Sequence, residues 1–143
     1  MEWKFWHPGV VVKDLDRAVE YYSSILGIGP FQKKDVITRN CRFRGMPCQL
    51  TIRLAQAKMG DVELELIQAD PGDNPFWEFL KTHGEGLHHL AFSVEDIESA
   101  IVQLSNKGVE VLIRGETSTE KTFAYLESIP PSGTIIQLAQ RLS

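Results

Sequence analysis

The sequence predicts an α+β fold in which two βαβββ modules pair to form an eight-stranded curved sheet around a cleft. The first observation behind this prediction is an internal repeat, since the segment around His7 returns around His89, at an offset of 82 residues. The second is the order of elements, because each histidine lies in a predicted strand that is followed by a helix and three further strands. The length of 143 residues suits one domain, or two small halves with a shared core.

The first module is predicted over residues 3–69 approximately. Its first strand, 5–12, ends in three consecutive valines, and its helix begins after the capping candidates Asp14 and Asp16. Apolar residues then recur at helical spacing until Gly27. The three remaining strands are predicted over 31–38, 48–56 and 62–67, the last with the strictly alternating sequence VELELI.

Residues 70–85 are predicted to link the modules, because this stretch is punctuated by proline and glycine around one short helical run. The second module is predicted over residues 86–141, and the whole chain, 1–143, as a single domain. Its predicted elements are a strand over 87–94, a helix over 95–106 and strands over 109–113, 123–128 and 134–139. The helices cover the outer face of the sheet, so the concave side is left as a cleft.

The bulk properties exclude several classes of protein. The net charge is −4 and there is no long basic run, so we expect no nucleic-acid partner. No apolar segment reaches the roughly 18 residues of a membrane span. The N-terminal residues lack the pattern of a secretory signal, and the two cysteines are expected to be reduced thiols, so we expect a cytoplasmic protein.

Polar residues occupy matching positions in the two modules. His7 and His89 lie on the first strands, while Glu65, in ELIQ, and Gln137, in QLAQ, lie on the last strands. The alternative interpretation is that Glu63 and Glu65 mark the solvated face of a strand and that Gln137 is an ordinary polar residue of a sheet.

Thr51 and Arg53 alternate with apolar neighbours on a predicted strand. We expect them to point together into the cleft, where Arg53 would hold an anionic group of a substrate. An equally supported alternative is that Arg53 is a surface residue on an edge strand.

Three segments, HPGVVVKDLDRAVEYYSSILGIGPF, GEGLHHLAFSVEDIESA and FAYLESIPPSGTIIQLAQ, resemble the vicinal oxygen chelate superfamily (glyoxalase, bleomycin resistance and dioxygenase proteins). The glyoxalase I and methylmalonyl-CoA epimerase branches are the nearest. The resemblance implies that each module supplies one metal ligand from its first strand and one from its last, namely His7, Glu65, His89 and Gln137. In the family the ligand on the last strand of the second module is usually a glutamate, whereas this chain has Gln137 there. The glutamate and the glutamine are therefore exchanged between the two modules.

The resemblance also implies a divalent cofactor, for which two imidazoles and oxygen donors suit Zn, Ni, Co, Mn or Fe. The implied function is lyase, isomerase or epimerase chemistry through a metal-bound enolate, with Glu65 as the base. The epimerase branch usually carries a catalytic glutamate at the position of Thr51. Since threonine cannot act as that base, this chain lacks the second base of the epimerases, which argues against the epimerase reaction. The implied partner is a small-molecule substrate, anionic or a thioester, and the superfamily often forms homodimers.

Two alternatives stay open at the level of the sequence. Extradiol-type dioxygenases of the superfamily hold Fe(II) with two histidines and one carboxylate, which here would be Glu65. Other relatives bind and sequester an antibiotic in the same cleft without a metal.

Overall fold

The computed structural model describes residues 2–119 and 121–141, so the ends of the predicted domain 1–143 and position 120 lie outside the described residues. Nine strands and three helices are present in this part of the chain. The strands are β1 Lys4–Val12, β2 Gln32–Phe43, β3 Met46–Cys48, β4 Thr51–Met59, β5 Val62–Gln68, β6 Gly86–Ser93, β7 Val111–Thr117, β8 Lys121–Leu126 and β9 Ile135–Arg141. The helices are α1 Leu15–Glu20, which continues into a π-helical turn Tyr21–Ile25, α2 Pro75–His83 and α3 Ile97–Ser105.

All the strands belong to one curved sheet with the order β3-β2-β4-β5-β1-β6-β9-β8-β7. The long strand β2 also pairs with β7, so eight strands close on themselves while the short strand β3 forms a hairpin with β2. This architecture confirms the predicted α+β fold. Closure removes the free sheet edges that β2 and β7 would otherwise present.

The two modules meet through their first strands. β1 and β6 are antiparallel neighbours at the centre of the sheet, and each is flanked by the last strand of its own module, β5 or β9, in parallel. This arrangement relates the modules by an approximate two-fold axis. It also brings the four strands that carry the predicted ligands side by side.

The repeated aspartates cap the two repeated helices. The Asp14 carboxylate accepts a hydrogen bond from the Arg17 amide at the start of α1, and Asp96 accepts one from the Ser99 amide at the start of α3. The buried face of α3 consists of Ile97, Ala100 and Leu104, and it packs on the outer face of the sheet. None of the helices described in residues 2–119 and 121–141 is long and apolar enough to cross a membrane.

Strand β2 is longer than the sequence predicted. The prediction ended at residue 38, whereas the strand runs to Phe43. The additional residues pair with the other module, with Arg39 opposite Glu116 and Phe43 opposite Ile113. The extension therefore depends on long-range pairing, which local sequence patterns do not contain.

Candidate metal centre

The predicted ligands lie in two rows that cross the centre of the sheet. In the first row Glu65 of β5 lies opposite Gly9 of β1, which in turn lies opposite His89 of β6. In the second row His7 of β1 lies opposite Ala91 of β6, which lies opposite Gln137 of β9. Each row thus has two polar side chains separated by a small residue.

Gly9 and Ala91 are related by the same offset of 82 residues as His7 and His89. The ring of His89 lies directly over Gly9, and a Cβ atom at Gly9 would stand 2.2 Å from Cε1 of that ring. Real Cβ atoms do not approach other atoms so closely, so the ring occupies the space of the missing side chain. The small residues therefore allow side chains from neighbouring strands to converge.

Three side chains converge on one point. Nε2 of His7 lies 3.6 Å from Oε2 of Glu65, and Nε2 of His89 lies 3.7 Å from Oε1 of the same carboxylate. One ligand atom from each residue lies within 4.8 Å of the other two. Two donors bound to one tetrahedral ion at about 2.1 Å lie about 3.4 Å apart, so the spacing is close to that of a metal site.

The site is withdrawn from solvent. His7 is 1% exposed, His89 0%, Glu65 6% and Gln137 9%. Burial, with smaller contributions from His88 and His7, lowers the pKa of His89 well below its ordinary value. The imidazole of His89 is therefore neutral at physiological pH, which is the form that binds metal.

His88 orients the ring of His89 from behind. Their Nδ1 atoms lie 2.9 Å apart, so one imidazole donates a hydrogen bond and the other accepts it. Burial lowers the pKa of His88 to about 4, and its ring packs against Phe76, Phe79 and Tyr125. When His89 donates from Nδ1, its Nε2 lone pair faces Glu65, which is the tautomer that a ligand requires.

A second polar contact orients the carboxylate. Gln56 of β4 lies opposite Glu65 of β5, and its amide nitrogen donates a hydrogen bond of 3.0 Å to Oε2 of Glu65. The amide leaves the charge of the carboxylate uncompensated, since it adds no positive charge of its own.

Three buried side-chain atoms of this site have no hydrogen-bond partner among the described residues, namely Nε2 of His88, Nε2 of His89 and Oε1 of Gln137. Buried polar atoms are rarely left without a partner. Nε2 of His89 and Oε1 of Gln137 belong to predicted ligands, and a divalent ion bound between them would satisfy both. The donor set of two imidazoles, a carboxylate and an amide oxygen therefore fits a divalent ion.

The site opens into a small cavity of about 60 Å³. His7, Glu65 and Gln137 line it, together with apolar side chains from both modules. Lys34 and Lys121 line it as well, and among the described residues Glu65 is the one carboxylate on its wall.

Thr51 and Arg53 lie outside this cavity, although the sequence predicted them inside it. Both are exposed, and Nε of Arg53 lies 3.8 Å from Asp70. The other face of β4 lines the cavity, through Ile52, Leu54 and Gln56. The reason is that helix α1 packs over the face that carries Ala55, and Thr51 and Arg53 continue that face beyond the helix.

Sequence reasoning missed four contributors to the site. They are Gly9, Gln56, Lys34 and Lys121. Only Gly9 carried a usable signal, because it and Ala91 are the small residues of the repeat. The ring of His88 also contacts that of His89.

The chain matches the sequence profile of the "Glyoxalase/Bleomycin resistance protein/Dioxygenase superfamily" over residues 6–125. It is 25% identical to the uncharacterized protein YqjC of Bacillus subtilis, over 94% of this chain and 89% of that protein. It is 24% identical to the mitochondrial methylmalonyl-CoA epimerase of Bos taurus, over 94% of this chain and 72% of that protein. A solved structure of methylmalonyl-CoA epimerase in complex with methylmalonyl-CoA and NH4+ superposes with a TM-score of 0.75 at 23% identity, over 99% of this chain and 96% of that one.

We expect the purified protein to contain close to one divalent ion per chain and His89→Ala to contain almost none, because the variant loses a buried donor. Plasma mass spectrometry after reloading with metal measures this. His83→Ala is the matched control, since His83 is exposed on α2. A wild-type protein that takes up no metal would refute the metal centre and favour a metal-free binding cleft.

We expect Gly9→Ala to weaken metal binding at least about tenfold, because the new methyl group displaces the ring of His89. Competition with a fluorescent chelator measures the affinity, and circular dichroism checks that the sheet is intact. Val10→Ala, at the next position with its side chain on the other face of β1, is the control. Unchanged affinity in a folded Gly9→Ala variant would show that the ring is not held by this close contact.

Proposed function

We propose that this chain, which belongs to the glyoxalase/bleomycin resistance protein/dioxygenase superfamily, is a divalent-metal-dependent epimerase or isomerase that moves a proton on the carbon next to a carbonyl group. One observation carries the proposal. A buried His–Glu–His donor set, with the unpaired amide oxygen of Gln137 beside it, lies at the floor of a cavity that opens to solvent.

His7, Glu65, His89 and Gln137 would hold the metal. A divalent ion bound there acts as a Lewis acid toward a carbonyl group and lowers the pKa of the adjacent C–H bond. The neutral state of His89 and the contact with His88 keep one nitrogen lone pair directed at the ion. The enclosed position excludes water from the donors, which strengthens their electrostatic interactions.

Glu65 is the group that would accept the proton. It is the one carboxylate on the cavity wall within the described residues, and the amide of Gln137 cannot accept a proton at useful pH. The hydrogen bond from Gln56 holds one carboxylate oxygen, so the other oxygen is the freer one. A single base of this kind serves an isomerase. Epimerisation would also require that the proton return to the opposite face of the carbon, from a second acid or after the enolate has turned over in the cavity.

The substrate class that we propose is a carbonyl compound such as an acyl thioester. Two of the similar proteins are named as methylmalonyl-CoA epimerases, which supports an epimerase-type reaction. The apolar side chains of Val36, Ile52 and Leu54 offer one wall of the cavity to a hydrocarbon portion. A cytoplasmic location and a homodimer stay predictions from the sequence.

We expect the metal-loaded protein to exchange the C2 hydrogen of methylmalonyl-CoA with D2O, and Glu65→Gln to reduce the rate at least about 100-fold, because an amide cannot act as a base. Proton NMR follows the exchange. Glu63→Gln is the matched control, since Glu63 precedes by two residues on the same strand but does not line the cavity.

Metal content measured on the same samples separates loss of the base from loss of the ion. Undiminished exchange in Glu65→Gln would exclude Glu65 as the base. An absence of exchange in the metal-loaded wild type, with methylmalonyl-CoA and with other acyl thioesters, would contradict the proposed reaction.

A second candidate is an Fe(II)-dependent dioxygenase, because two histidines and one carboxylate also form the ligand set of that class. We expect no oxygen uptake above background when the anaerobically Fe(II)-loaded protein receives catechols and then oxygen. An oxygen electrode measures this. Stoichiometric uptake that is lost in His89→Ala would favour the dioxygenase instead.

A further inference from the structure

Three cationic side chains line the way into the metal centre. Lys34 and Lys121 line the cavity that contains the donor set. Lys121 and Arg141 line an adjoining cavity, which shares Trp6, Lys121 and Ala139 with the first. A positively charged path therefore leads outward from the metal site, and within the described residues Glu65 is the one carboxylate on either wall.

Lys34 faces the cavity because of the alternation along β2. Its neighbour Lys33 points to the outer face, where its ammonium group pairs with Asp16 in the first turn of helix α1. Lys34 lies opposite Leu54, and both line the cavity. Unlike Lys33, Lys34 forms no ion pair with any of the described residues.

Lys121 is held in place without a carboxylate partner in the described part of the chain. Its ammonium nitrogen lies 3.9 Å from the centre of the Trp6 ring, and the side chain is half-buried. Burial, together with the positive charges of Lys34 and Arg141, lowers its pKa, and the negative charges of Glu65 and Glu63 offset only part of this effect. Three cations in proximity repel one another, and an anion bound among them would relieve both the repulsion and the lost hydration.

We propose that Lys34 and Lys121, with Arg141 beyond them, bind an anionic group of the substrate, a carboxylate or a phosphate, at the mouth of the cavity. The substrate would then be a carbonyl compound with a second, negatively charged group beyond the reacting carbon. This proposal rests on the proposed function only for the identity of the other end of the substrate, which is the carbonyl group that reacts. Binding of the anionic group itself requires no turnover and can be measured separately.

Two pairs of probes, each differing by one anionic group, test the site and distinguish the sources of the anion. For a carboxylate the pair is 2-oxoglutarate and 2-oxopentanoate. For a phosphate it is propionyl-4′-phosphopantetheine and propionyl-pantetheine. Isothermal titration calorimetry of the purified protein, with and without added Zn²⁺, gives the affinities. We expect the anionic member of at least one pair to bind at least about tenfold more tightly, as expected for a charge-assisted contact.

The variants Lys34→Met and Lys121→Met keep most of the side-chain length but remove the charge. We expect each to reduce the preference for the anionic probe to about threefold or less, while the affinity for the uncharged-tail probe stays the same. Lys121→Arg is expected to retain the preference. Lys33→Met is the matched control, since it removes the adjacent lysine on the other face of the same strand.

Equal binding within both pairs by the wild type, or no detectable binding of any probe, would overturn the anion site. So would a preference that survives in both methionine variants. A preference that is lost in those variants supports the site even when the protein shows no hydrogen exchange, in which case the proposed reaction alone fails. Exchange without any preference for the anionic probes would overturn the anion site alone.

Discussion

The candidate metal centre depends on the space that two small residues leave at the middle of the sheet. Neighbouring strands lie about 4.8 Å apart, and side chains on one face normally stand side by side without converging. Gly9 and Ala91 lie between the polar residues of their rows, so the flanking side chains can lean over them toward one point. The close contact between Gly9 and the ring of His89 shows how completely this space is used.

The two-fold relation between the modules explains the exchange of glutamate and glutamine. Glu65 and Gln137 occupy equivalent positions, each on the strand that flanks the first strand of its own module. A donor set of the same composition therefore forms whichever module carries the carboxylate. The difference lies in where the charge is, because the one carboxylate of the donor set belongs to the first module.

Without a bound ligand, the buried donors of the candidate centre leave polar atoms that have no hydrogen-bond partner. His89 and Gln137 each bury an atom that has no partner among the described residues, and unsatisfied groups of this kind cost stability. An ion that binds only the folded chain would stabilise it by mass action, so occupancy and folding are linked. The cationic residues of the mouth come from both modules, Lys34 from β2 and Lys121 from β8, so a substrate that reaches them also spans the two halves.

The sequence by itself determined the repeated βαβββ order, the Asp14 cap and the four polar positions, because strand alternation, helical spacing and an internal repeat can all be recognised in the sequence alone. Tertiary structure alone decided which face of β4 meets the cavity. Alternation specifies that Thr51 and Arg53 share a face, but only the packing of α1 over Ala55 turns that face outward. The length of β2 and the convergence of Lys34 and Lys121 were decided in the same way, because both arise from pairing between distant segments.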